Sequence, residues 1–128
     1  MVRDADERKL DAMSPWKNIR LELDRTQDFP AGSVSRAFLV RLPLNDHDHV
    51  DESAFATSPQ RAIIRRHWSN EPDESGVLEP SGEDWAMRCR GSANRTVKFN
   101  GTPLRLGGRV VIEDCDGEAL PFRIASVR

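Results

Sequence analysis

The chain has 128 residues, 38% of them hydrophobic and 31% charged, with a formal net charge of −2. A domain of that size buries about two thirds of its unfolded surface without help from disulfides or structural metal, and so balanced a composition excludes an intrinsically disordered chain. The slight negative balance excludes a global positive field that would draw the protein onto nucleic acid or anionic lipid.

Cys89 and Cys115 make no disulfide framework. No apolar run nears the roughly 20 residues of a membrane span, and the amino terminus lacks the apolar core of a secretory signal. The expected location is therefore the cytoplasm. Sixteen arginines stand against three lysines. Guanidinium groups fork onto phosphate and carboxylate, although the coding habit of a GC-rich genome produces the same excess.

Residues 1–15 alternate acidic and basic side chains and have little to bury, so they are expected to form a flexible tail, with one β domain over 16–128. The abrupt change at Met13 makes that residue a candidate start. From Trp16 onward a period of two takes over. Ile19, Leu21 and Leu23 alternate with Arg20, Glu22 and Asp24, which reads as a half-buried strand. After the turn residues of 28–33, Phe38, Val40, Leu42 and Leu44 share one face of a second strand, whose Pro43 belongs at an edge or bulge.

Asp51 is placed to cap a short helix near 51–57 that stops before Pro59. Residues 61–68 read as a third strand, with Arg65 and His67 on one face and Arg66 and Trp68 on the other. A hairpin over 77–89 puts Trp85, Met87 and Cys89 on one side. Val97 and Phe99 mark another strand, and Leu104 and Leu106 lead towards a terminal hairpin around Asp116-Gly117.

Two registers are open to that hairpin. A two-residue loop pairs Ile112 with Pro121 and puts the apolar faces on opposite sides. A three-residue loop, 115–117, pairs Ile112 with Leu120 and Val110 with Phe122, all four on one side. The buried face selects the second, with Gly117 left-handed in a bulge. The whole is a mainly β chain, an antiparallel β-barrel or sandwich of about seven or eight short strands with one short helix.

Three segments carry chemistry. Asp46, His47, Asp48 and His49, with His67 in reserve, are first-row metal ligands by type. The same stretch fails as a calcium loop, since Pro43 falls on the first carboxylate and Ala54 on the bidentate glutamate. The basic patch Arg65, Arg66, His67 and Trp68, joined by Arg88 and Arg90, suits an anion or a nucleobase. Finally, His67, Cys89 or Cys115, and Arg123 occur in the order used by sortase transpeptidases, but that family's Thr-Leu-x-Thr-Cys segment is missing. Cys115 also sits between Asp114 and Asp116, which would raise its thiol pKa.

The chain is similar to small single-domain bacterial proteins of unknown function with a terminal β-hairpin. The residues that carry this are Ile19–Asp24, Arg36–Leu44 and Gly108–Gly117. The resemblance implies a fold over 16–128 and transfers no activity. The expected function is a non-enzymatic binding or interaction module for a protein or a small anionic ligand, with no cofactor and no membrane. The alternatives are a nucleic-acid binder on the arginine and tryptophan face and a metal protein centred on His47 and His49.

Overall fold

The computed structural model describes residues 14–89, 92–99, 102–114 and 116–128, with the backbone alone for 92–94. Eight strands follow in order: β1 (Trp16–Leu23), β2 (Ser33–Pro43), β3 (Ile63–Trp68), β4 (Glu74–Ser81), β5 (Asp84–Cys89), β6 (Ser92–Lys98), β7 (Arg109–Glu113) and β8 (Ala119–Val127). Each is antiparallel to the next, and β8 returns to pair with β1. Of the two closures open to the sequence, the barrel is the one adopted. It leaves neither edge strand exposed for pairing with another chain.

Alternation sends one residue of every two inward. Ile19, Leu21 and Leu23 of β1 meet Phe38, Val40 and Leu42 of β2, Met87 of β5, Val97 of β6, and Phe122 and Ile124 of β8 in one continuous core. An eight-stranded barrel is just wide enough for side chains to fill, and these fill it. The terminal hairpin takes the three-residue register, with Ile112 opposite Leu120 and Val110 opposite Phe122. Gly117 has φ of +88° and donates its N–H to the Asp114 carbonyl at 2.9 Å. Cys115, in the same loop, lies outside the described residues.

The two ends of the barrel close differently. At one, helix α1 (Glu52–Thr57) lies across the opening, started by the Asp51 carboxylate accepting the Ala54 N–H at 3.0 Å. Its Phe55 ring meets Trp85 edge-on at 4.9 Å between centroids. A 3-10 turn at Pro59–Arg61 follows, so β3 begins at Ile63 and not at Arg61. Proline at the first turn position favours that start, because it has no N–H to leave unpaired. Leu104 is buried against this end, but it lies outside any strand and Leu106 is 71% exposed.

The opposite end is closed by charge and aromatic rings. Arg66 and Arg95 point inward there, their side chains 10% and 9% exposed. Ser14 and Pro15 are tied to the barrel as well, through the Ser14 hydroxyl on Asp51 (2.7 Å) and the Leu44 N–H on the Pro15 carbonyl (3.1 Å). Residues 1–13, and with them most of the expected tail, lie outside the described residues.

Candidate functional site

The basic patch read from the sequence divides between the two faces of the sheet. Arg66 and Trp68 point into the barrel, with the guanidinium 4.1 Å from the indole centroid. Arg65 and His67 point out, and both reach Asp73, at 3.9 Å and 2.9 Å. Arg88 also lies outside, paired with Glu79 across the β4–β5 ladder. Arg90 lies outside the described residues. The named set therefore shares no single face.

The loop of Asp46, His47, Asp48 and His49 is organised by Asn45. Its side-chain oxygen accepts the N–H groups of His47 (2.9 Å) and His49 (3.1 Å), and Asp48 takes a φ of +63°. Arg105 then pairs with Asp48 at 3.3 Å, and the Asp48 carbonyl accepts the Leu104 N–H at 2.7 Å. This fastens the 102–106 segment to the barrel. Among the described residues no group of three or more His, Cys, Asp or Glu side chains is disposed to hold a metal ion.

At the charged end, Arg95 pairs with Glu74 at 2.7 Å and with Asp114 at 2.8 Å, while Arg66 lies 3.5 Å from Glu71 and 3.6 Å from Glu74. The Arg95 hydrogen bond, more than the opposing desolvation, holds the Glu74 carboxyl below its usual range. Trp68 is stacked by a second guanidinium, Arg36, at 5.6 Å, and Arg36 lies 4.2 Å from the Phe29 centroid. The crevice among Phe38, Arg66, Trp68, Arg95 and Phe122 encloses about 10 Å³. That is room for no more than about one water. With its charges mutually matched, this end acts as a plug.

Among the described residues a groove of about 480 Å³ runs over the outer faces of β1, β2, β3 and β4 and the end of β8. The size falls within the range of about 300–1,000 Å³ common to ligand sites. The register builds it. Arg20 stands beside Leu39, and Leu39 beside Arg65; Asn18 stands beside Arg41. Arg128 joins the second row through paired backbone bonds with Asn18, at 2.7 and 2.9 Å. Four arginines, 20, 41, 65 and 128, thus line one depression.

No protein-family model, curated protein or solved structure matches the chain. Chemistry must be read from the groove itself. Arg20 is tied to Glu22 at 2.7 Å and Arg65 loosely to Asp73. Arg41 is bonded to the Asn18 amide oxygen at 3.1 Å, and among the described residues neither Arg41 nor Arg128 has a side-chain carboxylate within ion-pair distance. The side chains of the lining supply guanidinium, hydroxyl and amide groups and aliphatic carbon, with no side-chain carboxylate, imidazole or thiol among them. That lining presents fork-shaped guanidinium donors beside apolar carbon. Of its arginines the sequence singled out Arg65. Arg20 and Arg41 sit at ordinary outward positions of strands and Arg128 follows the last strand, places where a charged residue carries no signal by itself.

Proposed function

We propose that the chain is a non-enzymatic binding module whose outer sheet face takes an anionic ligand. The observation that carries this is the convergence of Arg20, Arg41, Arg65 and Arg128 on one groove, over a barrel whose interior is already full of side chains. A cytoplasmic setting belongs to the same proposal, supported by a composition with only two cysteines. Among the described residues no helix is long and apolar enough to cross a membrane.

The test is a calorimetric titration of the full chain with citrate and with inorganic phosphate, repeated on Arg41→Ala/Arg65→Ala. Both side chains face solvent, so their removal leaves the core intact. Binding by the parent chain, weakened about tenfold or more in the double variant, is the expected result. Equal affinity in both proteins would place the anion elsewhere and overturn the proposal.

A further inference from the structure

Resting on that reading of the groove, we infer that its ligand is an extended acidic peptide, with carboxylates on alternate residues and an apolar side chain beyond them, lying across the strands. Three neighbouring strands, β1, β2 and β3, contribute Arg20, Arg41 and Arg65, and Arg128, the residue after β8, adds a fourth beside β1. They alternate between two adjacent rows of the outer face. Along a line across the strands they succeed one another about every 4.7–4.9 Å, and the four span about 14 Å. An extended peptide repeats its same-side side chains every two residues, or about 6.4–6.8 Å, so three alternate carboxylates, about 13 Å end to end, cover that span. The flexible stems of arginine and glutamate absorb the difference.

Apolar groups stand beside the arginines. Leu39 separates Arg20 from Arg65, and the register sets Ile63 next to Arg41 and Val77 next to Ile63. Ile63 and Val77 are 47% and 37% exposed. A free inorganic anion would leave that apolar surface wet. A single-stranded nucleic acid would want aromatic faces on which bases stack, and the groove lining has none. The three tryptophans, Trp16, Trp68 and Trp85, pack in or against the core. A peptide satisfies both halves of the surface. Because the barrel is closed, such a peptide has no edge to extend, so recognition runs through side chains.

The span sets the length. From Arg128, just past the end of β8, to Arg65 on β3 is three strand steps, about 14 Å, and reaching Val77 on β4 adds about 5 Å. Some six to eight extended residues cover that distance. The net charge of −2 on the whole chain makes the attraction local to the groove. A bulk polyanion such as duplex DNA meets repulsion elsewhere on the surface.

The experiment is isothermal titration of the full chain with an end-blocked Glu-Ser-Glu-Ser-Glu-Ser-Leu-Ser peptide and with a version carrying the leucine at the other end. The comparisons are an isomer with the three glutamates contiguous, oligothymidylate and inorganic phosphate. One of the alternating peptides should bind about tenfold or more tightly than the contiguous isomer. Arg41→Glu and Arg65→Glu should each weaken that peptide about tenfold. Ile63→Thr and Val77→Thr should weaken it several-fold and leave phosphate affinity unchanged; two variants are used in case one fails to fold, as judged by circular dichroism. Equal binding of the contiguous isomer, or no effect of either threonine variant, overturns the peptide assignment. Tighter binding of oligothymidylate overturns it in favour of nucleic acid and leaves the anion groove standing. Binding of no anion at all overturns both this inference and the function on which it rests.

Discussion

Replacing Gly76 by alanine sets two opposed effects against each other, and the structure says which wins. Gly76 lies on β4 opposite Ile64, facing inward. A Cβ built there would come 2.5 Å from the Arg88 carbonyl oxygen and 2.9 Å from the Cys89 Sγ on β5. Where the backbone is compatible, Gly→Ala stabilises by about 0.4–1 kcal/mol, because the unfolded chain loses freedom. Here the obstacle is backbone, which cannot rotate away, and forced overpacking costs about 1–3 kcal/mol. The net is a loss of roughly 0–2.6 kcal/mol, centred near 1.3. Residues 14–128 carry an unfolding entropy of about 240 cal/mol/K, so each kcal/mol moves Tm by about 4 °C. We expect Gly76→Ala to melt about 5 °C below the parent chain by differential scanning calorimetry. In a Cys89→Ala background the sulfur contact is gone and the carbonyl contact stays, so the penalty should persist. A Gly76→Ala protein that melts above the parent would show that β4 and β5 do not approach so closely, and the argument would fail.

Other expectations bear on separate parts of the barrel. Gly117→Ala meets open space but keeps a φ of +88°, and should cost about 1–2 kcal/mol in a chemical-denaturation series. Asp51→Ala removes the helix cap and should cost about 1 kcal/mol; a loss below a few tenths would mean that water replaces the cap. The Ser14 hydroxyl first, then the Ala54 N–H, hold the Asp51 carboxyl below its ordinary value. A depressed folded-state pKa stabilises fully above the unfolded value near 3.8 and is lost as pH falls through the folded value, so Ser14→Ala should flatten the acid limb of a Tm-against-pH curve. Glu74 behaves with the same sign. Glu74→Gln should cost about 1 kcal/mol at neutral pH, discounted because the side chain is 40% exposed, and less in acid.

Strand and helix placement was legible wherever one face is buried, because a slip by one residue would turn every apolar group outward. That argument alone set Ile112 against Leu120. Alternation likewise put Arg66 and Trp68 on one face and Arg65 and His67 on the other, although the companions of Arg66 at the barrel end come from β4 and the loop after Trp68, which no local pattern connects. The third strand begins at Ile63 and not at Arg61, because proline starts a 3-10 turn there. Leu106, on the way to the terminal hairpin, lies in a turn that leaves it in solvent. The groove was out of reach for a geometric reason. Arg20 and Arg128 are neighbours because β8 closes onto β1, and a linear reading contains no such closure.

That closure also governs when the protein can exist at all. Ribosomes add roughly 5–20 residues each second, and a nascent chain lacking β8 has every other strand available. Until residues 119–127 emerge, β1 and β7 each offer an unsatisfied row of backbone groups, and Leu21, Phe38 and Ile112 have no Phe122 or Ile124 beside them. Local hairpins can form early, but the step that joins Glu22 to Arg123, whose side chains meet at 3.3 Å, spans nearly the whole chain. Folding is therefore expected to wait for β8 and to be slow for a domain of this size. A nonsense mutation anywhere before β8 should yield an aggregate or a substrate for proteolysis, and no partly active fragment.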